Sequence, residues 1–219
     1  MARARLGFAL SDVRGNMNGV VVTKTRTGLA VRGMPKYKYP KLPAVMEGAD
    51  RLKAVSAVWS GMNLDQSQAW RRYAESLTKR NPITLETYAP TAKNAYVGLA
   101  TKFLQINPTG EIPVWPPAAD FLGDDLEIDL TVPGPGEVVF TASAANSPGV
   151  AVEIMMQKLL NVHRSPTKFY KSVLFHTFVE GSLDLTLPLT PGYYAFAWRF
   201  VNMATGQMTG QRTFAVVQV

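Results

Sequence analysis

The sequence contains no cysteine and only two histidines, His163 and His176. Without thiols there can be no disulfide, thiolate nucleophile or cysteine-based zinc centre. The histidines fall in different expected elements and form neither an H-x-x-x-H nor an H-x-E pair, so no metal-ligand spacing is present. No G-x-x-x-x-G-K-[ST] phosphate loop, no G-x-G-x-x-G after a strand and no G-x-S-x-G nucleophile elbow occurs. No apolar run approaches the ~20 residues that span a bilayer. The opening MARARLGFAL meets Ser11-Asp12 before a signal-type apolar core is complete. These absences lead us to expect a non-enzymatic protein with no metal, cofactor or membrane span, made in the cytoplasm.

Acid is also scarce at the start. Residues 1–41 hold nine basic side chains (Arg3, Arg5, Arg14, Lys24, Arg26, Arg32, Lys36, Lys38, Lys41) against Asp12 alone. Met1 to Gly110 carries 17 basic and 6 acidic residues, while Glu111 to Val219 carries 6 basic and 10 acidic, within a net charge of +7. Such asymmetry implies two functional faces, one of them meeting an anionic partner: nucleic acid, or the acidic surface of a neighbouring copy.

The basic stretch has no helical period. Val20-Val21-Val22-Thr23 and Leu29-Ala30-Val31-Arg32 are β-prone runs, and Thr27-Gly28 before the second is a turn signal, so a hairpin is predicted across Gly19 to Gly33. Pro35, Pro40 and Pro43 then impose an extended segment in which Tyr37 and Tyr39 would share one face and Lys36, Lys38 and Lys41 the other. Residues 1–46 therefore read as a basic extended arm with a β-hairpin.

At Glu47 the period becomes helical. Leu52, Val55, Val58, Trp59 and Met62 predict an amphipathic helix over Glu47 to Met62. Asp65 with Gln68 resembles a capping box opening a second helix through Trp70, Tyr73, Ala74 and Leu77. Thr91 should cap a third, with Ala95, Tyr96, Leu99, Ala100 and Phe103 inward, stopped by Asn107-Pro108. Trp59, Trp70, Tyr73 and Phe103 could stack on bases, but at this spacing they are core. Residues 47–110 thus form a three-helix unit, and the proline-rich 111–118 a junction.

From 119 to 219 the pattern is all β. Leu126, Ile128, Leu130 and Val132 point inward, while Glu127, Asp129 and Thr131 point outward. Further strands are predicted at Glu137–Ala142, Val150–Leu160, Tyr170–Val179, Ser182–Leu187, Tyr193–Asn202 and Gln211–Val219. Asp124, Asp125, Glu127 and Asp129 form a candidate acidic docking edge; a solvated strand edge is the plainer reading, and a Ca²⁺ site a less favoured one.

The fold class is therefore α+β, with a C-terminal antiparallel β-sandwich. The Pro191-Gly192-Tyr193 corner, the alternating strand after it and the turn at Gly206 resemble an immunoglobulin or fibronectin type III sandwich. Gly15-Asn16, Gly28, Val31-Arg32, Trp70-Arg-Arg-Tyr73-Ala74 and Asn94-Ala95-Tyr96 are similar to a loosely defined group of phage and prophage-associated small proteins. That resemblance implies a virion structural component (capsid decoration, cement or head–tail protein), held by its basic arm against the major capsid protein or neighbouring copies in a homo-oligomeric assembly. The alternative is a nucleic-acid-binding module, with Arg3, Arg5, Arg14, Lys24, Arg26 and Arg32 on phosphates and Tyr37 and Tyr39 stacking. A carbohydrate-adhesion role for the sandwich has thin support, because Trp198 falls in a core strand.

Overall fold

A computed structural model describes residues 2–4, 15–17, 20–25, 28–33, 42–80, 87–164, 166 and 170–219. The chain divides into two compact units, Met1–Met46 and Glu47–Val219.

In the first unit, β1 (Ala2–Ala4), β2 (Gly15–Met17), β3 (Val20–Thr25) and β4 (Gly28–Gly33) form an antiparallel sheet in the order β1-β4-β3-β2. β3 and β4 are the expected hairpin, with Thr25 opposite Gly28 and Val22 opposite Val31. The stretch before the hairpin, expected only to extend, adds two strands, β1 on β4 and β2 on β3, while the segment 34–41 expected to extend after it lies outside the described residues. A bare hairpin leaves backbone groups unpaired on both edges and is marginal in water, so extra strands are the physical remedy. The register places Val20, Val22 and Val31 on one face. Val21, Thr23, Ala30 and Arg32 share the other.

Three helices follow: α1 (Pro43–Ser60), α2 (Leu64–Ser76) and α3 (Ala92–Ile106). α1 starts four residues ahead of the expected Glu47. No residue of α1 before Val55 is buried, and Leu52, expected inward, is 50% exposed. Leu52 lies at nearly the azimuth of half-buried Trp59, two turns on, so it is cover that is lacking rather than the period. α2 opens with a capping box, but two residues earlier than expected. The Asn63 side chain accepts from the Gln66 amide (2.9 Å), and the Gln66 side chain accepts from the Asn63 amide (3.0 Å). Asp65 sits instead in the first turn, where a carboxylate complements the helix dipole. Thr91 caps α3 as expected. Between α2 and α3, β5 (Lys79–Arg80) pairs with β6 (Thr87–Tyr88).

The helices share a core of Val55, Trp70, Ala74, Ala95, Tyr96, Ala100, Phe103 and Leu104, against which Trp59 and Tyr73 also pack. Tyr96 is wedged between Trp70, edge to face at 5.1 Å, and Trp59 at 5.4 Å.

Two antiparallel sheets complete the second unit. One contains β7 (Ile128–Gly134), β8 (Glu137–Ala142) and β11 (Asp184–Pro188) in the order β11-β8-β7. The other runs β10 (Lys171–His176), β9 (Val150–Leu159), β12 (Tyr193–Asn202), β13 (Arg212–Thr213), with β14 (Val217–Gln218) also on β12. The last expected strand is thus two short ones. Between them the Phe214 amide still donates to the Phe196 carbonyl of β12 at 3.0 Å, and its ring packs on Phe140. Ile128, Val138 and Phe140 from the first sheet meet Val152, Ile154, Phe196, Trp198 and Phe200 from the second in one core.

β9 and β12 are buried on their other face too, through Ala151, Glu153, Met155, Ala195, Ala197 and Val201. α3 reaches that face through Lys102, and the turn after β12 lies against α3 at Gly206. The proline-rich stretch 111–118, expected as a domain junction, lies inside this unit, and the Trp70 indole N–H donates to the Val114 carbonyl at 2.9 Å.

Candidate functional site

The partner-binding residues expected in the arm divide by their placement. Arg3 is in β1, Lys24 in β3 and Arg32 in β4, where Arg32 is exposed. Arg5, Arg14, Arg26, Lys36, Tyr37, Lys38, Tyr39 and Lys41 lie outside the described residues. In the first unit, no residue whose burial is described is buried. Val20, Val21, Val22, Thr23, Ala30 and Val31 are half-buried, while Arg32, Gly33 and Leu42 to Met46 are exposed. Val20, Val21 and Val22 stand opposite Gly33, Arg32 and Val31, and these valines have only half a core's cover.

Of the expected acidic edge, Glu127 and Asp129 lie along a sheet face, and Asp124 and Asp125 precede it. Asp124 is half-buried and accepts from the Asn146 amide group (2.9 Å) and the Ser147 backbone N–H (3.0 Å). Burial raises its carboxyl, but those hydrogen bonds outweigh it and hold the group below its ordinary value. Asn146 in turn accepts from the Phe178 amide, so Asp124 fastens loops together rather than presenting a charge. Asp125, Glu127 and Asp129 are exposed.

Asp129 lies opposite Thr141, which lies opposite Asp184, and Glu137 shares the outward alternation of Thr141. The outer face of β11-β8-β7 thus carries Glu127, Asp129, Glu137 and Asp184 among threonines, with no Lys or Arg at an outward position of its strands. Glu137 and Asp184 escaped the sequence reading because it followed charge along the chain. Strand alternation combined with pairing brings them into the group.

A second site, also missed, is internal. Glu153 is 1% exposed. Its carboxylate accepts from Lys102 Nζ of α3 at 2.8 Å and from Arg199 Nε of β12 at 2.6 Å. Lys102 also donates to Gln105 (2.7 Å) and lies 5.2 Å from the Phe175 ring centre. Burial alone would raise the Glu153 carboxyl, but the hydrogen bonds from Arg199 and Lys102 reverse this and hold it below the usual carboxylate range. Burial pulls the Lys102 ammonium down, and Glu153 restores part of that loss. With both carboxylate oxygens engaged, this cluster joins helix to sheet. The sequence did hold a signal: a lone carboxylate inside Val150-Ala-Val-Glu-Ile-Met-Met156 has to be paired if that run is a buried strand.

Among the described residues, two buried polar side-chain atoms have no hydrogen-bond partner, Tyr96 Oη and His176 Nε2. His176 stands edge-on to Phe178 at 4.7 Å, and burial lowers its pKa. Tyr96 forms part of the wall of a cavity of about 210 Å³. Among the described residues no group of three or more His, Asp or Glu side chains could hold a metal ion, and no helix is long and apolar enough to cross a membrane. Comparisons with protein-family models, with curated proteins and with solved structures find no match.

Proposed function

We propose that this chain is a non-enzymatic structural component of a phage virion, a capsid decoration, cement or head–tail protein. Its basic N-terminal unit holds it against the major capsid protein and neighbouring copies. The observation that carries this reading is the state of that unit: a four-stranded sheet with a valine-rich face, strongly basic, and without a single buried residue among those whose burial is described. A sheet gains its stability from covering an apolar face. One left half-covered is suited to a surface supplied by a partner. Leu42, Val45, Met46 and Leu52 add exposed apolar area along the start of α1.

The two sheets of the second unit read as a fibronectin III-like sandwich. Taken in chain order from β7, the first, second and fifth strands form one sheet, and the third, fourth, sixth, seventh and eighth the other. The hydroxyl of Tyr194, near the start of β12, donates to the Thr190 carbonyl at 2.7 Å. That is the geometry of a tyrosine corner, made by Tyr194 rather than by its neighbour Tyr193. Such a sandwich serves as a rigid, projecting module in many surface and structural proteins and carries no chemistry of its own.

The experiment is incorporation. Particles assembled with a chain lacking residues 1–14, which removes β1, should contain none of it, while the purified variant remains folded by circular dichroism. Incorporation at full occupancy would refute the reading. Nucleic-acid binding is the rival outcome: release from DNA on raising salt, by roughly 0.9 log unit per log of salt for each phosphate contact, together with full incorporation of the truncated chain.

A further inference from the structure

β10 stands at the end of its sheet and pairs with β9, and a bulge between Ser172 and Leu174 interrupts that ladder. A strand held along one side only belongs to the low-stability end of a fold. Side chains fasten its far half. Leu174 packs on the core between the sheets, and His176, two residues on, stands opposite the fully buried Val152. Phe178, also fully buried, meets the imidazole edge to face at 4.7 Å.

His176 Nε2 is buried and has no hydrogen-bond partner. A neutral imidazole tolerates this, because its proton can sit on Nδ1 and leave Nε2 bare. An imidazolium cannot: both nitrogens then carry hydrogen, and a charged N–H buried without an acceptor is costly. The sheet opposite contributes Ile128, Val138 and Phe140 to that core, none of them titratable. Among the described residues Glu153 is the only buried acid. It lies opposite Phe175, hence on the other face of β9, with Lys102 and Arg199 upon it. Asp124 is engaged by Asn146 and Ser147 in the loop that holds the Phe178 amide. Lys171 at the start of β10 and Glu180 beyond it are exposed. Burial is accordingly the one cause of the lowered His176 pKa.

We propose that His176 is a pH-sensitive latch: protonating its imidazole releases β10 from β9 in mild acid and opens that sheet edge, while the rest of the sandwich stays folded. The sign follows from linkage. The imidazole of the open strand takes its proton near the ordinary 6.5, and that of the closed strand only below it. Closure is therefore complete above 6.5 and is lost as pH falls through the folded value. The latch lies within the second unit and is independent of the assembly reading.

The test is amide hydrogen exchange on the full chain, corrected for the intrinsic rate. From pH 7.5 to pH 5.5 the protection of β10 amides should fall by about threefold to tenfold, tenfold being the limit set by one pH unit below 6.5. The amides of β12 should keep theirs. In His176→Leu, which puts an apolar side chain in place of the ring, β10 protection should not respond to pH. A second measurement needs no change at the latch: the His176 ring signal, followed by NMR in the wild type, should titrate below 6.5. His163→Gln, at an exposed position, assigns it by removing the other imidazole signal. The proposal is overturned by β10 protection that ignores pH, by an equal loss in β12, or by a pH response that survives in His176→Leu. A His176 signal titrating at or above 6.5 overturns it as well.

Discussion

Glu153 places a full negative charge where 1% of the side chain meets solvent. Its tolerance depends on two cations contributed from different layers, Lys102 from α3 and Arg199 from β12. Such a cluster adds little net stability over an apolar replacement of the same shape, but removing one member strands the others. Glu153→Gln leaves two cations facing each other over a neutral amide, and we expect it to lower the unfolding free energy by about 3 kcal/mol in urea titration. The pH dependence has a definite sign. The folded carboxyl lies below its ordinary 4.5, so its contribution is complete above that pH and is lost as pH falls through the folded value. Asp124 is depressed too and shares this direction, so the wild-type acid limb alone does not isolate Glu153. The difference does: melting temperature should fall less steeply below pH 4.5 in Glu153→Gln than in the wild type. Parallel profiles would exclude Glu153 as a source of acid sensitivity. At this scale the sequence was legible where one side chain decides alone, as with Thr91 at the cap of α3. It was opaque where the deciding partners lie 51 and 46 residues away, as with Lys102 and Arg199.

Between elements, the tightest constraint is Gly206. It turns the chain after β12 with φ +74, and a Cβ there would meet the Leu99 carbonyl oxygen and the Phe103 amide nitrogen of α3. Backbone on that side cannot move away as a flexible side chain can. Strain at positive φ and overpacking each cost about 1–3 kcal/mol, so Gly206→Ala should destabilise by roughly 3 kcal/mol and loosen α3 from the sheet. Gly210, four residues on, has nothing within 4 Å of the place a Cβ would take and is the matched control. Gly210→Ala should stay within about 0.5 kcal/mol of wild type. Equal urea midpoints for the two variants would show that the turn does not bear on α3. The turn at Gly206 and the strand before it were readable from alternation and turn chemistry. Its approach to a helix backbone a hundred residues earlier was not, since nothing local records it. The same limit explains α1: its period correctly marks a helix, yet Leu52 stays exposed because period alone does not say how far the covering helices extend.

Over the whole chain, charge is the organising quantity, and the N-terminal sheet shows how much of it was legible. The β3–β4 hairpin announced itself through β-branched runs and a turn. β1 and β2, three residues each, are too short to show a period and exist through pairing. The outer face of β11-β8-β7, with Glu127, Asp129, Glu137 and Asp184, is the natural complement to a unit bearing nine basic residues in its first 41 positions. If one copy's basic unit docks on the next copy's acidic face, the contact is head-to-tail and propagates until it closes or is capped. Its range is set by screening, with a Debye length of about 10 Å at 0.1 M salt. Self-association in sedimentation velocity should therefore be marked at low ionic strength and fade as salt rises. The triple variant Asp129→Lys, Glu137→Lys, Asp184→Lys changes exposed side chains on an uncovered face, so it should fold normally and remain monomeric. It keeps its own basic unit. Mixed with wild type, it can dock on a free acidic face but offers none in return, so a minor fraction should shorten wild-type assemblies out of proportion to its amount. A triple variant that assembles like wild type, or leaves wild-type assemblies at full length, would remove the acidic face from the interface and direct the basic unit to another partner.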